Sequence, residues 1–129
     1  MFENSRTVTS FSVDDIPAAV KFYGGTLGLE YTEESGILWL HRADGILIYP
    51  KPDHVPASYT VLNFVVDDID EAVDTLLDRG VRLLRYEGLG LDEKGVVRNP
   101  DRDIAWFADP AGNVHSVSRP TVPLPRGAS

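Results

Sequence analysis

The residues able to do chemistry in this chain are few, and their spacing limits what they can do. Three histidines are present, His41, His54 and His115. No two of them stand four apart, the spacing that puts a pair of imidazoles on one helix face, and no carboxylate brackets them in a metal-ligand pattern. Each is therefore expected as a surface or edge histidine. Two aspartate pairs, Asp14-Asp15 and Asp67-Asp68, have the make-up of a carboxylate dyad for acid–base work. Both pairs open an apolar helical stripe, where a carboxylate satisfies the first backbone N–H groups, so capping is the expected role. The chain has no cysteine, which removes a thiolate nucleophile, a disulfide framework and a zinc ribbon together. It has no G-x-S-x-G elbow either, so the sequence lends acyl transfer no support. Gly88-Leu89-Gly90 and Gly95 lack the strand-then-helix setting of a phosphate cradle and read as a flexible loop. Arg98, Asp101, Arg102 and Asp103 read as a solvated, mixed-charge stretch.

The elements that must position these residues come in two copies. Phe11-Ser12-Val13-Asp14-Asp15-Ile16-Pro17-Ala18-Ala19-Val20 returns as Phe64-Val65-Val66-Asp67-Asp68-Ile69-Asp70-Glu71-Ala72-Val73, identical at seven of ten positions and offset by 53. Ile37, Trp39 and Gly45 return as Ile104, Trp106 and Gly112 at an offset of 67, so the second copy carries about 14 extra residues near Tyr86 to Asp103. Thr7 to Val13 alternates as a strand, with Val8, Ser10 and Ser12 on one face and Thr9, Phe11 and Val13 on the other. Ile16, Ala19, Val20 and Tyr23 then form one helical stripe, which Gly24-Gly25 is expected to stop. In the second copy the stripe is Ile69, Ala72, Val73, Leu76 and Leu77, with Gly80 after it. Short strands follow each helix, around Leu29–Tyr31, Ile37–Arg42 and Ile46–Tyr49, then around Val81–Tyr86, Ile104–Phe107 and Val114–Ser118. Asp44-Gly45 and Asp109-Pro110-Ala111-Gly112-Asn113 are the hairpin turns. The expected fold is α+β, two tandem βαβββ modules over about residues 5–52 and 58–119 of one domain, 1–119. A stiff Pro-rich linker spans about 50–57, and 120–129 is expected to be a flexible tail.

Composition narrows the partners. With 12 Lys and Arg against 20 Asp and Glu the formal charge is −8, which argues against a nucleic-acid backbone as partner. No apolar run is long enough to span a bilayer, and Met1-Phe2-Glu3-Asn4-Ser5-Arg6 lacks the apolar stretch of a signal peptide. A cytoplasmic protein is expected.

The D-D-I openings, Phe22-Tyr23 followed by Leu27-Gly28-Leu29, and Asp109-Pro110-Ala111-Gly112-Asn113 fall in an order that resembles the vicinal oxygen chelate superfamily. That superfamily groups glyoxalase I, extradiol dioxygenases, fosfomycin-modifying enzymes and bleomycin-binding resistance proteins. The resemblance runs over about residues 5 to 119. It implies curved mixed sheets around a cleft, often completed by dimerisation. It also implies a divalent metal held by the first and last strand of each module. Carried over by the motifs, those positions are Val8, Tyr49, Val61 and Ser116, where the metalloenzymes usually have Glu at the last. Two valines, a tyrosine and a serine do not make a divalent-metal site, so no metal and no cofactor is expected.

The expected function is a metal-independent binding protein for a small organic ligand, acting as a homodimer. The expected pocket brings Tyr49, Ser116, Val8 and Val61 together, with Trp39 and Trp106 at equivalent places in the two modules. The acidic balance suits a cationic ligand through its long-range field. The alternative is a lyase, isomerase or dioxygenase of the same superfamily with an unusual or metal-free site, in which Tyr49 or His115 does acid–base chemistry.

Overall fold

The computed structural model describes residues 1–122. The chain forms two compact units. The first comprises Met1–Ala57 together with Asp109–Asn113, and the second comprises Ser58–Ala108 and the stretch from Val114 onward. The hairpin turn expected within the second module thus belongs to the first unit.

In the first unit, β1 (Thr9–Val13) leads into the four-residue α1 (Ile16–Ala19), and β2 (Tyr31–Glu34), β3 (Ile37–Leu40) and β4 (Ile46–Pro50) follow. They form one sheet in the order β1-β4-β3-β2, with β1 parallel to β4 and the other pairs antiparallel. Strand alternation divides the sheet into two faces. Phe11, Val13, Leu38, Leu40 and Ile48 are buried on one of them, as are Ile16, Ala19, Phe22 and Tyr23 of the helical segment. The Phe11 and Tyr23 rings meet at 6.0 Å, and full burial of such side chains contributes roughly 1.5–3 kcal/mol each. The opposite face, with Ser12, Tyr49, Leu47 and Trp39, stays half-buried to exposed.

Helix capping follows the sequence expectation. The Asp15 carboxylate accepts from the Ala18 N–H at 3.1 Å, and in the second unit Asp68 accepts from the Glu71 N–H at 3.0 Å. Each cap is the second aspartate of its pair. Gly24-Gly25 behaves differently from expectation. The chain winds on through them as a π-helical segment, Val20–Thr26, and the Leu27 N–H donates to the Phe22 carbonyl at 2.8 Å. Glycine is needed at position 24 for another reason: a Cβ there would stand 2.4 Å from the Tyr31 ring. A tight turn at Ser35-Gly36, with φ of 54° and 77°, joins β2 to β3 in the left-handed conformation that two-residue hairpins require.

The second unit holds β5 (Thr60–Val65), α2 (Ile69–Asp78), β6 (Leu83–Leu84), β7 (Val97–Arg98), β8 (Arg102–Ala108) and β9 (Val114–Pro120). The order is β5-β9-β8-β6, with β7 also paired to β8 and β5 parallel to β9. Thus the second copy keeps the βαβββ pattern and adds one strand from its insertion. α2 buries Ile69, Val73 and Leu76.

The insertion is organised where a flexible loop was expected. Asp92 accepts from the Lys94 and Val96 N–H groups, both at 2.9 Å, and Arg85 donates to the Asp92 carbonyl at 2.9 Å. Arg98, expected to be merely solvated, bonds Asp70 at 2.8 Å and Asp92 at 3.1 Å. Lys94 pairs with Asp74 at 3.0 Å, which ties the insertion to α2. At the other end of the chain, β9 runs through Pro120, and the Thr121 N–H donates to the Asp101 carbonyl at 2.8 Å. Ordered pairing therefore enters the segment expected as a tail, because the inserted loop offers it a carbonyl. Residues 123–129 of that segment lie outside the described residues.

Candidate functional site

The candidate residues divide between the two units. In the first, Val8 immediately precedes β1 and lines a groove of about 660 Å³ with Arg6, Thr32, Trp39, His41 and Asp44. Trp39 is 36% exposed, and its ring lies over Gly45, where an added Cβ would stand 3.5 Å from it. Arg6 donates to the Asp44 carbonyl at 3.1 Å, and the Thr32 hydroxyl and His41 Nε2 lie 2.7 Å apart. Tyr49 is the register partner of Ser12, and Leu47 that of Trp39. Alternation thus places Tyr49, Leu47 and Trp39 on one half-covered face.

In the second unit, Ser116 is the register partner of both Asn63 and Trp106. Its hydroxyl donates to the Asn63 carbonyl oxygen of the side-chain amide at 2.7 Å, and Ser116 is only 1% exposed. Trp106 meets Tyr86 edge to face at 5.3 Å. Val61 stands where the β5–β9 register slips between Thr60 and Leu62, a bulge that strict alternation does not anticipate.

The four positions that the resemblance assigns to a metal supply two isopropyl groups, one phenol and one alcohol already engaged by Asn63. Such a set does not fit a divalent ion. Among the described residues, no group of three His, Cys, Asp or Glu side chains gathers to hold one.

His41 is exposed, as expected, but the other two histidines depart from expectation. His115 is fully buried, since alternation turns it to the face opposite Ser116, where its ring packs 5.6 Å from Phe107 and 6.1 Å from Phe64. Its Nδ1 accepts from the Leu62 N–H at 3.2 Å, which gives it a packing role at the bulge. His54 is half-buried rather than superficial. Its Nδ1 lies 2.6 Å from the Ser12 hydroxyl and its Nε2 lies 3.1 Å from the Ala111 carbonyl oxygen. Sequence reasoning missed this pair, because no spacing rule links a strand serine to a histidine 42 residues later.

The turn that carries Ala111 is built around one carboxylate. Asp109 accepts from the Ala111 and Asn113 N–H groups at 3.0 and 2.8 Å, from the Asn113 side-chain amide at 3.0 Å and from the Tyr23 hydroxyl at 2.6 Å. Asn113 in turn donates to the Ser12 carbonyl at 2.9 Å. Burial, reinforced by the neighbouring Asp109 charge, drives the Tyr23 phenol well above its ordinary range.

The family model of the Glyoxalase/Bleomycin resistance protein/Dioxygenase superfamily matches residues 7–117, and the chain belongs to that superfamily. Among solved structures, a glyoxalase family protein from Bacillus anthracis is similar at 21% identity and a TM-score of 0.68, over 94% of this chain and 100% of that one. TnmS3, an antibiotic binding protein from Streptomyces sp. CB03234, is similar at 26% identity and a TM-score of 0.65, over 92% and 98% of the two chains. A lactoylglutathione lyase from Agrobacterium tumefaciens shares 19% identity with a TM-score of 0.65, over 90% and 93%. No curated protein matches. Among the described residues no helix is long and apolar enough to cross a membrane.

Proposed function

We propose that the protein binds a small organic ligand without a metal, against the open face of the first sheet. The observation that carries this reading is the groove of about 660 Å³ lined by Val8 and the exposed Trp39. Its volume lies within the roughly 300–1,000 Å³ usual for small-molecule sites, and its lining mixes apolar surface with a few polar groups. An aromatic face beside a valine suits a planar, largely apolar ligand. Arg6 and Asp44 place both signs of charge at the rim, so the overall acidity need not select a cation. The similarity to an antibiotic binding protein, at 26% identity, supports a small-molecule-binding role.

Tryptophan fluorescence tests the reading. The chain has two tryptophans, and a binding aromatic should quench Trp39 emission saturably and raise the unfolding temperature with the logarithm of its concentration. Trp39→Phe should remove the quench while Trp106→Phe keeps it. A library of planar aromatics that shifts neither signal would defeat the proposal. We also propose a homodimer, after the superfamily's habit of completing clefts between chains, and a cytoplasmic location, which the absence of cysteine suits. A monomer in light scattering at about ten micromolar would count against the dimer, since functional dimers bury interfaces large enough to persist at that concentration.

A further inference from the structure

We propose that Ser12 and His54 are a nucleophile–base pair that cleaves small, uncharged esters, an activity separate from ligand binding. Ser12 Oγ lies 2.6 Å from His54 Nδ1, and His54 Nε2 lies 3.1 Å from the Ala111 carbonyl oxygen. A carbonyl oxygen only accepts, so in the neutral ring Nε2 carries the proton. Nδ1 is then the lone-pair nitrogen, and the Ser12 hydroxyl donates to it. A hydroxyl on a base that a third group orients is the arrangement that activates serine. Here the orienting group is a backbone carbonyl.

The surroundings hold all three parts in place. The Lys51 N–H bonds the Val13 carbonyl at 2.9 Å and the His54 N–H bonds the Lys51 carbonyl at 3.0 Å, so the linker folds back onto the end of β1. Asn113 clamps the Ser12 carbonyl, and Asp109 fixes the turn that presents Ala111. Such support keeps catalytic groups within the small tolerance that reaction geometry demands. Among the described residues, no other serine shows a hydrogen bond to a histidine. Ser116 donates to an amide oxygen, which is no base. Both Ser12 and His54 are half-buried, reachable yet partly withdrawn from water. Tyr49, the register partner of Ser12, adds a phenol to the same face, and Leu47 and Trp39 extend that face without charge. An uncharged aryl or short alkyl ester matches it.

In the reaction, Ser12 Oγ bonds to the ester carbonyl carbon as its proton passes to His54 Nδ1. The carbon–alkoxy bond breaks, and Nδ1 returns the proton to the departing alcohol. Water then attacks the acyl-serine, giving a proton to Nδ1, and the Ser12 oxygen leaves and takes it back. Acid and alcohol are released and the protein is unchanged.

The test uses the full chain with diisopropyl fluorophosphate, followed by peptide mapping, and with p-nitrophenyl acetate turnover. One adduct per chain on the peptide containing Ser12 is expected. Loss of the base should slow both labelling and turnover about 100-fold in His54→Gln, the lower end of what a positioned base supplies. Absence of an adduct, an adduct elsewhere, or an unchanged rate in folded His54→Gln would overturn the pair. Should His54→Gln fail to fold, Ser12→Cys replaces it, since the native chain has no cysteine. Its thiol beside His54 should react with iodoacetamide at neutral pH at least about tenfold faster than that of Ser10→Cys on the same strand; equal rates would overturn the pair. A protein that binds aromatics but takes no label leaves the binding reading intact, and the converse outcome leaves the esterase reading intact.

Discussion

Tyr23 and Asp109, 86 residues apart in sequence, share a 2.6 Å hydrogen bond in a buried setting. The phenol comes from the π-helical segment and the carboxylate from the turn between β8 and β9. Tyr23 is wholly inaccessible and Asp109 is 5% exposed, so neither group can exchange its partner for water.

Removing either partner should therefore be costly. Tyr23→Phe leaves Asp109 with its amide donors and should lower stability by about 1–2 kcal/mol in urea unfolding. Asp109→Ala deletes the acceptor of four hydrogen bonds and should cost about 3 kcal/mol or more. A smaller effect for Asp109→Ala than for Tyr23→Phe would show that the turn does not depend on its carboxylate.

The same pair sets an alkaline response. The folded-state pKa of Tyr23 lies above that of a free phenol, because burial and the Asp109 charge oppose ionisation. Its contribution is fully present below about pH 10, where an unfolded tyrosine keeps its proton. Above that pH the unfolded state holds fewer protons than the folded one, and stability falls as pH rises. Unfolding curves between about pH 9 and 11 should show a steeper decline for the native protein than for Tyr23→Phe. Equal slopes would contradict the linkage.

Gly24 offers a sign reversal. In a helical position alanine is ordinarily better than glycine by up to about 1 kcal/mol. Here the added methyl meets the Tyr31 ring at 2.4 Å, so Gly24→Ala should destabilise by about 1 kcal/mol or more as the ring is displaced. In a Tyr31→Ala background the same change should become neutral or stabilising. A double-mutant cycle in chemical denaturation measures this directly.

Asp92 governs the insertion locally. Burial opposes its charge, yet the Val96 and Lys94 N–H groups and Arg98 outweigh that and hold its pKa below the usual carboxylate range. Asp92→Ala should speed amide exchange across residues 92–98 and change global stability by no more than about 1 kcal/mol, since the ion pairs are largely in water. With a lowered carboxyl pKa, the stabilisation is present above about pH 4 and is lost as pH falls through the folded value. The native loop should thus approach the exchange rate of Asp92→Ala in acid. Exchange that is the same in both proteins at neutral pH would dismiss Asp92 as the organiser.

Much of the fold was legible because it repeats. The Asp15 and Asp68 caps, the alternation of Phe11 and Val13 and the stripe through Ile69, Val73 and Leu76 are local patterns, and local patterns survive into structure. The need for glycine at position 24 was hidden because it comes from the Tyr31 ring on another element. Asp92 organises the insertion through a turn whose donors have no sequence signature beyond proximity. Of the candidate site, Val8 and Trp39 were foreseen and share a groove. Val61 falls on a bulge that periodicity does not anticipate. The Ser12–His54 contact arises only once the Pro-rich linker has folded back on β1, a tertiary event.

The turn Asp109–Asn113 also fixes when the first unit can be completed during synthesis. It is encoded about fifty residues after the rest of that unit, beyond most of the second. A nascent chain ending at Ala57 lacks the acceptor for Tyr23 and the donor for the Ser12 carbonyl. At roughly 5–20 residues per second, translation imposes a wait of several seconds before those bonds can close. The two halves, though they repeat one another, are therefore not interchangeable in time: the half made first must wait for a segment encoded within the other.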